Sequence, residues 1–126
     1  MGQQALLTNY KIEGLTIAIN DMPKMLAFYK NLFGIKFIEH DEFGTKLYSG
    51  KWADLTILFC PAEVAQNRAT QNKHQFDIVV TELDGWIRKC KNNGGVTIGE
   101  ITDTKEYRSS GIYDPDRNTI VLKEYR

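Results

Sequence analysis

The side chains that most often carry protein chemistry are sparse in this chain. It has two histidines, His40 and His74, and two cysteines, Cys60 and Cys90. The cysteines form no CxxC or zinc-type spacing, so they predict two free thiols in a reducing cytosol rather than a disulfide. Cys60 precedes Pro61 with no histidine or basic residue near it in sequence, and reads as a packing residue rather than a thiolate nucleophile. No GxSxG elbow presents a serine. Asn93-Gly94-Gly95 is a helix stop, not a phosphate-cradling loop. What remains is a small polar and aromatic set. Asp77 and Lys123 form a candidate charged pair, and Asp77 alone could accept a proton or balance a cationic ligand. Gln75 and Thr16 offer hydrogen bonds, while Tyr48 and Tyr113 offer apolar bodies with polar tips. These residue types suit the binding of a small molecule, provided the fold brings them together.

The elements that position them come from a chain that repeats itself. A shift of 61 residues carries Leu15-Thr-Ile-Ala-Ile-Asn-Asp-Met onto Phe76-Asp-Ile-Val-Val-Thr-Glu-Leu. Further on, Lys30-Asn31 falls on Lys91-Asn92 and Gly34 on Gly95. Each half opens with a strand pattern. Leu15, Ile17 and Ile19 alternate with Thr16 and Ala18, and Phe76, Ile78 and Val80 alternate with Asp77 and Val79. A helix follows in each. In the first, Asn20 or Asp21 caps, and Pro23 suits the first turn, where its missing N–H costs nothing. Met22, Met25, Leu26, Tyr29 and Leu32 recur at three- and four-residue steps, and Gly34 ends the helix. In the second, Thr81 is the predicted cap, Leu83, Trp86, Ile87 and Cys90 form the apolar stripe, and Gly94-Gly95 ends it.

Strand signals at residues 36–40, 46–48 and 55–59 complete the first half, broken at Phe43-Gly44 and Ser49-Gly50. Signals at 96–98 (running on towards 107), 111–113 and 119–123 complete the second. Asp114-Pro-Asp-Arg-Asn118 is a turn by composition. The predicted class is α+β: two βαβββ modules, residues 11–60 and 74–126, joined by a polar linker at 61–73 with a short helical turn at 63–68. One helix per module covers one face of its sheet, and the other face must pack on something or line a cavity.

Bulk composition agrees with a single domain over residues 1–126. Hydrophobic residues make up 42% and charged residues 25%, and 16 basic side chains balance 16 acidic ones. That balance argues against nucleic acid as a partner and against disorder. No apolar run approaches the ~20 residues of a membrane helix. Residues 1–10 lack a basic stretch ahead of an apolar core, so no secretory leader is expected and the predicted location is cytoplasmic.

Three segments carry a resemblance. Ile17-Ala-Ile-Asn-Asp-Met-Pro-Lys-Met-Leu-Ala-Phe-Tyr-Lys-Asn-Leu-Phe-Gly, Phe76-Asp-Ile-Val-Val-Thr-Glu-Leu-Asp and Tyr113-Asp-Pro-Asp-Arg-Asn-Thr-Ile-Val-Leu, together with the repeat, resemble the vicinal-oxygen-chelate superfamily. This is the group of glyoxalases, bleomycin-resistance proteins and extradiol dioxygenases. The resemblance implies a curled eight-stranded mixed sheet with helices outside, a ligand cavity on the concave side, and a homodimer. In metal-dependent members, four side chains from the opening and closing strands of the two halves hold a divalent cation. Those positions fall here on Gly14, Gln75, Val121, and Ile57 or Thr56. Only Gln75 carries a strong donor, so no metal and no other cofactor is expected.

Strand alternation then selects the cavity lining. If Leu15, Ile17 and Ile19 pack under the first helix, Gly14, Thr16 and Ala18 face the cavity, and by the same logic so do Gln75, Asp77, Val79, Val121 and Lys123. The aromatic residues of the β segments, Tyr48, Trp52, Tyr107 and Tyr113, either wall a ligand or pack in the core. Arg108 either pairs with an anionic ligand or stays solvated. The leading functional expectation is a metal-free small-molecule-binding protein with Thr16, Tyr48, Gln75, Asp77, Tyr113 and Lys123 as ligand contacts and no assigned catalytic residue. The alternative is a glyoxalase-like lyase, isomerase or dioxygenase with a non-standard metal site or Asp77 as general base. A structural protein with a filled cavity comes third.

Overall fold

The computed structural model describes residues 13–65 and 74–126. The first module contains β1 (Leu15–Ile19), α1 (Met22–Phe33), β2 (Ile38–Glu42), β3 (Thr45–Trp52) and β4 (Leu55–Pro61). The second contains β5 (Phe76–Val79), α2 (Leu83–Asn92), β6 (Val96–Asp103), β7 (Tyr107–Tyr113) and β8 (Thr119–Tyr125). The predicted βαβββ order therefore occurs twice. The eight strands form two four-stranded mixed sheets, ordered β1-β4-β3-β2 and β5-β8-β7-β6. In each, the opening strand runs parallel to the closing one and the other pairs are antiparallel. The helical turn expected at 63–68 ends outside the described residues; its beginning is a turn in which the Val64 and Ala65 N–H groups both donate to Pro61 O.

Helix α1 starts and stops where its sequence says. The Asp21 carboxylate accepts from Lys24 N at 3.2 Å, Pro23 lies in the first turn, and Gly34 closes the helix at φ 72°. The cap of α2 differs from the sequence expectation. Glu82, not Thr81, is the N-cap, at φ 59°, and its side chain makes no capping bond. Instead Glu124 of β8 accepts from Glu82 N at 3.0 Å and from Leu83 N at 3.4 Å. Asp116 does the same for α1, accepting from Asn20 N at 2.7 Å and Asp21 N at 3.1 Å. Each helix thus presents its unpaired N–H groups and positive dipole end to a carboxylate from the end of the chain.

Two glycine signals also have a different meaning in three dimensions. Ser49-Gly50 reads as a strand break, yet β3 runs straight through it. A Cβ on Gly50 would stand 2.8 Å from Ile35 Cγ2 and 2.9 Å from Lys36 O, so this glycine admits the chain leaving α1 rather than making a turn. That crossing buries Ile35 and delays β2 until Ile38. Strand β6 continues to Asp103 through an irregularity between Ile98 and Thr102, where Gly99 sits at φ 65°.

Both helices pack on one face of their sheets, and the two halves share one core. Ile17, Ile57, Phe59, Met25, Phe28, Tyr29 and Leu32 from the first module join Leu83, Ile87, Cys90, Ile112, Ile120 and Leu122 from the second. Trp52 stands 4.8 Å from Phe76, centroid to centroid, and Phe33 stands 5.7 Å from Trp86. A polar knot reinforces the junction. Asp114, 2% exposed, accepts from Tyr29 Oη at 2.8 Å and from Asp116 N, Asn118 N and Asn118 Nδ2, each at 2.9 Å. Burial outweighs these donors and raises the Asp114 carboxyl above the ordinary Asp range. The turn that carries much of the family resemblance is thus a structural clasp. Cys60 and Cys90 are both free and buried, and burial pushes the Cys90 thiol up to about 11.

Candidate functional site

With the helices on one face of each sheet, chemistry is left to the other. Residues opposite one another in a ladder share a face. In the second sheet, Asp77 pairs with Val121, Val121 with Gly111, and Lys123 with Ser109, while Tyr113 pairs with Thr119. The helix face holds the alternate set, Phe76, Ile78, Ile112, Ile120 and Leu122. Asp77, Tyr113 and Lys123 therefore lie together on the helix-free face. Gln75 joins them, because its Nε2 donates to Asp77 Oδ1 at 2.9 Å. Four of the six residues selected from the sequence share this face.

Asp77 and Lys123 do not form the candidate charge pair. Lys123 Nζ lies over the Tyr107 ring at 4.2 Å and the Tyr125 ring at 5.1 Å, and no ion pair joins it to Asp77. Tyr107 and Tyr125 face each other in register, which clamps the ammonium between two rings. At an exposed site each such contact contributes about 0.5–1 kcal/mol. An exposed ion pair would contribute no more, so the aromatic clamp competes well for this lysine. Tyr125 is the partner that strand alternation had not singled out. Its signal was the i, i+2 spacing from Lys123.

Thr16 and Tyr48 belong to the first sheet and to opposite faces of it. Thr16 pairs with Leu58, which pairs with Ser49, which pairs with Ile38, all on the helix-free side. Tyr48 instead pairs with Phe59 and Glu39. Its hydroxyl donates to Glu39 Oε1 at 3.1 Å. It lines a separate open groove of about 720 Å3 beside α1, with Leu26, Lys30, Lys36 and Phe37. The strand pattern around Tyr48 gave no face because both its neighbours are half-hidden; the β3–β4 register decides it.

Trp52 is half-buried and packs against the core, edge-on to Tyr29 at 5.2 Å. Arg108 is committed as well. Its guanidinium donates to Asp84 at 3.1 and 3.3 Å and meets Glu124 at 3.6 Å. Hydrogen bonding to Arg108 holds the Asp84 carboxyl below its usual range.

A sequence profile of the glyoxalase/bleomycin resistance protein/dioxygenase superfamily matches residues 11–122. The chain belongs to this superfamily. No curated protein sequence matches it significantly. Among solved structures, hypothetical protein SA1046 from S. aureus superposes with a TM-score of 0.76 at 19% identity, over 95% of this chain and 98% of that one. A glyoxalase/bleomycin resistance protein/dioxygenase family enzyme from Burkholderia phytofirmans PsJN gives 0.75 at 20% identity, over 93% and 100%. A mutant of the genomically encoded fosfomycin resistance protein FosX from Listeria monocytogenes, complexed with Mn(II) and 1S,2S-dihydroxypropylphosphonic acid, gives 0.66 at 26% identity, over 89% and 87%.

Superfamily membership makes the fit of a divalent metal a question for the donor set. Register refines the four positions. Thr16 pairs with Leu58 as Asp77 pairs with Val121, so the first-module equivalent of Val121 is Leu58 rather than Ile57 or Thr56. Ile57 is fully buried on the helix face. The positions are thus Gly14, Leu58, Gln75 and Val121, and a single amide is a poor cage for a hard or borderline cation. At Gly14 any Cβ would fall 2.8 Å from the Thr56 carbonyl oxygen, so the backbone leaves no place for a ligating side chain. Among the described residues no three His, Cys, Asp or Glu side chains cluster as a metal would require. His40 Nε2 is hydrogen-bonded to Ser49 Oγ at 2.7 Å, and His74 is exposed beside Gln75. The residues present do not fit the superfamily's metal.

Proposed function

We propose that this superfamily member binds a small molecule without a metal, on the helix-free side of its sheets. The observation that carries the reading is the exchange of ligand chemistry on the second sheet. Gln75 and Val121 stand where ligands would be, and the same face instead offers the Gln75–Asp77 pair and the Tyr107–Lys123–Tyr125 clamp. A lysine between aromatic rings and a carboxylate two residues from Gln75 can orient a polar ligand, while Val79, Val96 and Tyr125, at 65%, 49% and 59% exposed, supply apolar wall.

The chain works in this reading as one folded unit, clasped by Asp114 and Asp116. Two copies pair so that the exposed Val79 and Val96 are covered and the ligand is enclosed, and the protein acts in the cytoplasm. The mutant FosX structure contains Mn(II) and a phosphonic acid, so small-molecule ligands have precedent at this fold, but this chain keeps no comparable donor set. Elemental analysis of the purified protein, combined with native mass spectrometry, tests the reading. It predicts no stoichiometric transition metal, a dimer mass, and any co-purified ligand released on denaturation. One bound metal per subunit would overturn it.

A further inference from the structure

We propose that the first sheet carries a separate oxyanion-binding site, formed by Lys36 and Lys51 with the hydroxyls of Ser49 and Thr56. These residues line a pocket of about 490 Å3 with Gly34, Ile38 and Gly50. Four observations converge on it.

First, the pocket contains no acid, and neither lysine meets a carboxylate among the described residues. Lys24, Lys46, Arg108 and Arg126, by contrast, all form ion pairs. Second, the two lysines line the same pocket, Lys51 from β3 and Lys36 from the segment that crosses β3 before β2 begins at Ile38. Lys36 O lies 2.9 Å from where a Cβ on Gly50 would stand, one residue from Lys51. Like charges lining one pocket repel, and a bound anion converts that repulsion into attraction. Third, the Lys51 ammonium is held in place. It donates to Thr56 Oγ1 at 2.7 Å, which leaves two N–H groups for a ligand. Fourth, Ser49 and Lys51 alternate onto the same face, and the Ser49 hydroxyl is hydrogen-bonded to His40 Nε2.

The ligand class follows from these groups. Two ammoniums and two hydroxyls suit a carboxylate or phosphate, and Ile38, 63% exposed at the rim, suits a short carbon portion. The ligand is a small organic acid or phosphate ester. This site goes beyond the second-sheet reading and is tested apart from it.

The test is heteronuclear NMR on the full chain, freed of metal with a chelator and titrated with inorganic phosphate and with benzoate at constant ionic strength. Saturable shifts are expected at the amides of Ser49, Gly50, Lys51 and Thr56, with benzoate also moving the Ile38 methyls. Lys51→Met should weaken binding at least about tenfold, as loss of a charge-assisted hydrogen bond requires. Lys36→Met should weaken it as well, and Lys105→Met, in the β6–β7 turn, should not. Shifts that never saturate, or that survive both Lys51→Met and Lys36→Met, overturn the site. Shifts confined to Asp77, Tyr107 and Lys123 overturn it too while leaving the second-sheet reading intact. A metal found in the native protein has the reverse effect.

Discussion

The Tyr29 hydroxyl donates to Asp114 Oδ2 at 2.8 Å and so ties the helix of the first module to the β7–β8 turn of the second. Both groups are buried, and burial together with the neighbouring Asp114 charge raises the tyrosine pKa well above 10. Tyr29→Phe should cost about 1.5–3 kcal/mol at neutral pH, the range for a hydrogen bond to a charged group. Its pH signature separates it from simple packing loss. A group whose pKa is raised by folding leaves stability intact below the unfolded value near 10, and that stability is lost as pH rises beyond it. Urea unfolding at neutral pH and above about pH 10 should show the wild type losing more stability over that interval than Tyr29→Phe.

Asp116 caps a helix that it does not belong to. Removing its carboxylate in Asp116→Ala leaves the Asn20 and Asp21 N–H groups unpaired and should cost about 0.5–2 kcal/mol. Asp116→Asn keeps one carbonyl oxygen and should cost less. Chemical denaturation followed by far-UV circular dichroism checks the order. Equal losses in the two variants would mean that the caps contribute nothing beyond turn geometry.

The Arg108 fork on Asp84 sets an acid-side prediction. Because Arg108 lowers the Asp84 pKa, the pair's stabilisation is present above the unfolded value near 4 and is lost as pH falls through the lower folded value. The wild type should lose more stability than Asp84→Asn between about pH 6 and about pH 2. Asp84 is solvent-exposed, so the difference is small, and high salt should shrink it.

Gly95 is irreplaceable for space rather than for backbone freedom. A Cβ there would collide with Cys90 Sγ and approach Phe28 Cε1 at 2.8 Å and Tyr113 O at 2.9 Å. Gly95→Ala should destabilise by about 3 kcal/mol or more, the upper end for overpacking. Gly44→Ala meets nothing within 4 Å, and there the cost is only that of a left-handed φ of 83°. Melting temperatures of the two variants should differ accordingly.

Much of the architecture was legible before any coordinates. The duplicated order of strand, helix and three strands rests on local signals: two-residue alternation in Leu15–Ile19, three- and four-residue steps from Met22 to Leu32, and the glycine stop at Gly34. Alternation also placed Gln75, Asp77 and Lys123 on one face, because a strand buried on one side commits its alternate residues to the other. The lack of metal-ligating side chains at the equivalent positions was equally plain.

Other features depend on contacts that no local pattern encodes. The caps of α1 and α2 come from Asp116 and Glu124, separated by 96 and 42 residues from the backbone groups they serve. The face taken by Tyr48 depends on its pairing with Phe59, and the companions of Lys123 on its position between Tyr107 and Tyr125. Lys36 and Lys51 come to line one pocket because the chain leaving α1 crosses β3 at Gly50. Sequence by itself determined the periods and punctuation, which are properties of a few adjacent residues. The tertiary structure alone decided which charges, caps and rings became neighbours, because register and packing are settled by the whole core at once.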